Sequence, residues 1–272
     1  MIISEPVILQ YRSGADQVQT KIIYEQPLNE RIRTFLRLEF LFDQTRVFLA
    51  GDSVWDSRAA LAGILEILSI FSRADLKTEV MKELERQTVV LERLEENPGV
   101  DRSRLNDILN QMDTLIDHMH SLKGQVGQEL RQNEFLSSIR QRITIPGGTC
   151  DFDLPAYHFW LQQPAAKRHL QLQHWFKSFE VVAQSISLIL RLIRESAPSV
   201  KETAEAGFFQ KSLDPNVPCH IVRVMVPIDC PYFAEISGGK HRFTVRFLEQ
   251  RLEERPVQAA ENIPFELACC II

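Results

Sequence analysis

Residues 24–41, YEQPLNERIRTFLRLEFL, hold the change of backbone that decides the fold. Residues 21–25 alternate in polarity, as a short strand does. Pro27 breaks that strand, since it has no backbone N–H to donate. Asn29 then offers a side-chain oxygen that can cap a helix. Leu28, Ile32, Phe35 and Leu36 recur at helical spacing, which predicts a helix over 30–48 with that set toward a core. The same spacing puts Arg33 and Arg37 four residues apart, on one helix face.

Downstream the helical period continues. A second helix is expected from Asp56 or Ser57 to about residue 72, with Leu61, Ile64, Leu65, Leu68 and Phe71 inward. A third is expected from about Asp75 to 96. It should end at Asn97-Pro98-Gly99, where proline cannot continue the helix and glycine accepts a left-handed cap. Asp101 opens a fourth, in which Leu105, Ile108, Leu109, Met112, Leu115, Ile116 and Met119 form one apolar stripe. Gly124 and Gly127 predict a break, and 129–142 a further short helix. Helices should fill 165–195, Pro164 suits a first turn, and the apolar run 176–193 should be the central buried helix. The dense charge of 77–96 is explained by a solvated helix face.

After Pro198 the period changes to two. Residues 220–226, 232–236, 242–248 and 263–269 read as strands, with Ser237-Gly238-Gly239-Lys240 turning a hairpin between the second and third. Helices in the middle and strands at both ends give an α+β chain: a helical domain plus a smaller antiparallel β-strand domain assembled from distant N- and C-terminal segments. The expected bounds are 28–142 and 164–200 for the helical domain. They are 21–27, 143–163 and 213–272 for the β-strand domain, with 1–20 a flexible extension.

The composition is that of a globular protein, with 44% hydrophobic and 25% charged residues among 272. A net charge of -5 disfavours a general nucleic-acid binder. No apolar run reaches the length of a membrane span, and the N-terminus lacks the pattern of a secretory signal. The five cysteines, an odd number without a Cys-x-x-Cys pair, read as reduced thiols, and no metal or other cofactor is expected. Phosphate loops, dinucleotide fingerprints, nucleophile elbows and zinc-protease helices are all absent, so no catalytic residue is assigned.

The positive signal is the placement of cations. On a strand, alternate residues share a face, so Lys240, Arg242, Thr244 and Arg246 line one side of 240–247. His241, Phe243, Val245 and Phe247 then line the other, which suits a core. A row of cations repels itself, and a partner bearing carboxylates would relieve that repulsion and gain paired hydrogen bonds. The structural alternative is an exposed or edge strand face, with Arg33 paired to a neighbour such as Glu30 or Glu39.

Three blocks carry a resemblance over about 22–270: residues 24–41, residues 145–160 (IPGGTCDFDLPAYHFW) and residues 237–247 (SGGKHRFTVRF). Together they resemble the ZapD family of bacterial division proteins. The resemblance implies a helical domain joined to a β-strand domain, forming a homodimer. It implies a cytoplasmic, non-enzymatic factor, recruited to the mid-cell division ring, that binds the C-terminal tail of the tubulin-like protein FtsZ and bundles its filaments. That tail is short and mixes acidic with apolar residues. Carried over by position, the tail-binding residues would be Arg33 and Arg37, Arg73 ahead of the helix holding Met81-Lys82-Glu83-Leu84, His158 of the block ending at Trp160, and Lys240, Arg242 and Arg246. The alternative function is binding, or turning over, an anionic small molecule with the same arginines. The N-terminal extension and Ile271-Ile272 depart from the family pattern.

Overall fold

The computed structural model describes residues 20–72, 75–94, 99–251 and 253–272. The extension 1–19, Arg73 and the Asn97-Pro98 stop lie outside them. Among the described residues, nine helices and eight strands form an α+β chain. The chain separates into two compact units.

The helical unit is Pro27–Ser196 with Ile271–Ile272. Helix α1 (Glu30–Leu49) starts where Ile32 N–H donates to Asn29 Oδ1 at 2.9 Å. Helix α2 (Val54–Phe71) starts earlier than expected. Its cap is Ser53 rather than Asp56 or Ser57, because Ser53 and Asp56 form a reciprocal capping box. Asp75 caps α3 (Leu76–Glu92) and Asp101 caps α4 (Arg102–Ser121). The helix expected over 129–142 is two, α5 (Gln128–Gln132) and α6 (Glu134–Arg142), because Asn133 leaves the helical region and caps the second. Gly127, at φ +70, makes the preceding turn, and a Cβ there would lie 2.7 Å from Leu68 Cδ1. After α7 (Pro155–Leu161) and α8 (Ala165–Lys177) comes α9 (Glu180–Glu195), which is buried along most of its length and packs on α1, α3 and α4. The run from Phe176 is thus split at Ser178-Phe179, without a glycine or proline to announce it.

Residues 143–163, expected with the strands, belong to this unit and contain no strand. Successive turns, with Gly147 at φ +70, lead into α7, where Pro155 stands at the first helical position. Tyr157, Trp160 and Leu161 point inward at spacings of three and four, a helical period. Tyr157 and Trp160 join Phe135 and Trp175 in an aromatic cluster with centroids 5.9–6.3 Å apart. Burial there pushes the Tyr157 hydroxyl up to about 12, against the opposing charge of Arg58.

The strand unit comprises Ala197–Cys270 and the described residues before Pro27. One sheet has the order β1 (Lys21–Pro27), β4 (Ile221–Pro227), β8 (Ile263–Cys270), β2 (Val200–Ala204). In the other, β6 (Arg242–Glu249) lies between β3 (Phe208–Ser212) and β5 (Tyr232–Gly238), and β7 (Val257–Gln258) also pairs with it. Strands β2 and β3 begin the unit well before residue 213. They are short and largely polar, and the turn between them uses Ala206 and Gly207 at positive φ. Phe243, Val245 and Phe247 are buried, and Phe247 and Phe209 both meet the Phe265 ring, at 5.3 and 5.2 Å. His241, expected on that inward face, is exposed: the strand starts at Arg242, and His241 and Lys240 form the turn.

Candidate partner-binding surface

Helix α1 buries one face and exposes another that is not uniformly polar. Ile32, Phe35, Leu38, Phe42 and Thr45 point inward. The crossing with α2 is close at Thr45, where a Cβ on Gly63 would fall 2.2 Å from Thr45 Oγ1. The opposite face carries Arg33, Arg37, Phe40, Gln44 and Val47, at successive spacings of four, three, four and three. Phe40 is 65% exposed and Val47 70%. The stripe therefore begins with two cations and continues with two large apolar side chains facing water.

The arginines of α1 have different fates. Arg31 reaches Glu79 at 2.7 Å and the buried Glu83 at 3.0 Å. Arg33 pairs with exposed Glu30, one turn away, at 3.0 Å. Arg37 is exposed, with no ion pair to another described residue. Glu83 also accepts from Arg86 and Gln87. Burial alone would raise its carboxyl, but the hydrogen bonds and charges of Arg86, then Gln87 and Arg31, hold it below the usual carboxylate range.

The hairpin of the strand unit presents a second group. Arg242, Thr244 and Arg246 share the outward face of β6, while their neighbours Phe243, Val245 and Phe247 are buried. Arg246 faces Glu235 across the β5–β6 register and pairs with it at 3.1 Å, both side chains being half exposed. Arg242 and Lys240 are exposed and have no ion pair among the described residues. The turn is closed by Gly239 N–H donating to Arg242 O at 3.0 Å.

His158 stands on the exposed side of α7, next to Phe159, which is 68% exposed. Helix α7 packs on α2 and α6. No hydrogen bond or ion pair of a described residue ties the His158 side chain to α1. The structure therefore groups Arg33 with Arg37, and Arg242 with Arg246 and the adjacent Lys240, and leaves His158 on a third element. Arg73 lies outside the described residues. Phe40 and Val47 are missing from the expected set although their signal was readable: they continue the Arg33–Arg37 face at helical spacing.

These cations stand on open faces. Three cavities of the described residues, of about 340, 360 and 410 Å³, are lined by other residues, such as Ser72, Asp75 and Lys77 in the first. Among the described residues no cluster of three or more His, Cys, Asp or Glu could hold a metal ion, and no helix is long and apolar enough to cross a membrane.

Residues 36–246 match the family model described as ZapD, cell division protein. The cell division protein ZapD of Methylococcus capsulatus is 47% identical over 255 residues, covering 94% of this chain and 100% of that protein. Those of Coxiella burnetii and Escherichia coli are 39% and 38% identical over 257 and 256 residues, each matched over 100% of its length. The chain belongs to the ZapD family of cell division proteins.

Proposed function

We propose that this protein binds the C-terminal tail of FtsZ and, as a cytoplasmic homodimer recruited to the mid-cell ring, cross-links FtsZ filaments without catalysis. The carrying observation is that Arg37 and Arg242, in a chain with 36 acidic against 31 basic residues, face water with no carboxylate partner among the described residues. An arginine left without a partner in an acidic protein is available for a carboxylate brought by another chain, and its planar fork binds one with two parallel hydrogen bonds. Phe40 and Val47 extend the same face of α1 with apolar surface, which suits a segment that mixes acidic and apolar residues. Arg33, Arg73, His158, Lys240 and Arg246 complete the proposed set. For Arg33 and Arg246 the tail would compete with Glu30 and Glu235, weak exposed pairs that an incoming carboxylate can replace.

Two tail sites on a two-fold dimer would bridge filaments by multivalency, so a weak single contact becomes firm on a polymer. Co-sedimentation with FtsZ filaments tests this. Arg242→Glu combined with Arg246→Glu should abolish it and leave the molecular mass in solution unchanged. Undiminished co-sedimentation of that folded variant would remove the hairpin from the site.

A further inference from the structure

The outward face of the β3–β6–β5 sheet carries one row that cations alone do not explain. The β3–β6 register sets Phe208 opposite Arg246, and the β5–β6 register sets Glu235 opposite the same residue. Residues directly opposite in an antiparallel pair share a face, with Cβ atoms about 4.5–5.5 Å apart. Arg246 therefore stands between an aromatic side chain and a carboxylate. Phe209 fixes which way β3 faces: its ring lies 5.2 Å from that of Phe265 and 6.3 Å from that of Phe243, inside the strand unit. Phe208, the residue before it, points the other way and is 41% exposed. Arg242, on the same face of β6, has different neighbours. It lies opposite Ser212, its carbonyl accepts from Gly239 N–H, and it has no ion pair among the described residues.

An incoming acid meets the two arginines differently. At Arg242 a carboxylate adds an ion pair where none stood. At Arg246 it replaces Glu235, which holds the guanidinium at 3.1 Å. One exposed pair is then exchanged for another of about the same strength, and the displaced Glu235 stays beside the newcomer as a like charge. Charge by itself gains almost nothing there. An apolar side chain carried next to the carboxylate changes the balance, because Phe208 flanks Arg246 on the side away from Glu235 and has aromatic surface to bury. Selection of this kind combines a contact for the right ligand with an opposing charge against the wrong one.

We propose that Phe208 is a specificity-determining residue of the tail site, which reads an apolar side chain next to a carboxylate, and that Glu235 keeps Arg246 from responding to acidity alone. This rests on the tail binding proposed above and extends that site from β6 to β3 and β5. It narrows the ligand from any acidic peptide to one that carries a carboxylate and a large apolar side chain close together in sequence. The spacing follows from the sheet: Phe208 and Arg246 are direct neighbours on strands about 4.8 Å apart, so an extended segment reaches both within about two residues.

Titration of the full chain with two peptides tests the proposal. One is the C-terminal peptide of FtsZ, and the other keeps its acids but has serine at each large apolar position. Phe208→Ala should weaken the first about fivefold and leave the second unchanged. Glu235→Gln should tighten both about threefold, and the gain should vanish when Arg246→Gln is added. Equal weakening of both peptides by Phe208→Ala would overturn the inference. So would a gain from Glu235→Gln that survives beside Arg246→Gln, since the glutamate would then act by general charge repulsion and not by holding Arg246. Either result leaves tail binding itself standing, whereas a folded parent that binds neither peptide would overturn the tail reading and this inference together.

Discussion

Helix α1 shows two uses of one residue type on neighbouring turns. Arg31 points toward α3 and joins Glu79 and Glu83, the latter only 1% exposed. Arg37, six residues on, faces water without a partner among the described residues. A third arginine, Arg168 on α8, is 5% exposed and takes no carboxylate among the described residues: it donates to Ser57 Oγ and to the carbonyls of Asp52, Leu161 and Gln163. The comparison teaches that an arginine's role is set by what the surrounding elements bring to it. Buried cations of the helical unit are satisfied by the fold and hold helix ends in place. On the outward stripe Arg33 meets only exposed Glu30, and Arg37 has no ion pair among the described residues.

Four substitutions sharpen or break that contrast. The largest effect is expected from Arg168→Met, which fits the space but leaves one hydroxyl and three carbonyls without their donor. It should cost about 4 kcal/mol in urea unfolding, since each buried group left unsatisfied costs about 1–3 kcal/mol. A loss within about 0.5 kcal/mol would show that water replaces the guanidinium freely.

Glu83→Ala comes next. It takes the carboxylate from Arg86 and leaves Arg31 with Glu79 alone, and because both guanidinium groups keep some contact with water the expected loss is about 3 kcal/mol, the low end for breaking a buried pair. Glu83 also predicts an acid dependence. A carboxyl held below its unfolded value stabilises the fold above the ordinary carboxylate range. That contribution is lost as pH falls through the lower folded value. Urea midpoints of the parent should therefore drop between about pH 5 and pH 3 more steeply than those of Glu83→Gln. Parallel curves would mean the carboxylate is not stabilised by its partners.

Gly127→Ala should cost about 2 kcal/mol, from the left-handed backbone and the close approach to Leu68. Thermal unfolding checks this, and an unchanged midpoint would mean that the turn relaxes. The smallest effect on stability belongs to Arg37→Ala, within about 0.5 kcal/mol, because no partner of the fold is lost. The same variant should weaken binding of the FtsZ tail peptide about tenfold, the worth of one charge-assisted contact. A destabilised Arg37→Ala with normal peptide affinity would reverse the assignment of the two arginine classes.

The sequence carried some of this and hid the rest, for physical reasons. Asn29 and the inward period of Ile32 and Phe35 announced α1, because a cap and a 3.6-residue repeat are local signals. The same periodicity placed Arg33 and Arg37 on one face, and a two-residue period placed Phe243, Val245 and Phe247 inward. Segment 143–163, expected with the strand domain, holds a helix of only seven residues, too short for a periodic signal, whose Tyr157 and Trp160 pack inward. Strands β2 and β3 were missed because their sequences, VKETA and FFQKS, are short and polar, and what holds them is pairing with β8 and β6, both distant in sequence. Nothing in residue spacing separates Arg168, enclosed by carbonyls, from an exposed arginine. Pairing of Arg246 with Glu235 likewise depends on a register that only the folded hairpin fixes.

The most direct measurement is a titration of the full chain with the C-terminal peptide of FtsZ at low and high salt, beside the variant Arg37→Glu with Arg242→Glu, with solution mass followed by light scattering. The parent should bind saturably as a dimer and lose affinity as salt rises, and the folded variant should keep its mass and lose the peptide. Equal, salt-insensitive binding by parent and variant would contradict the role given to the outward cations.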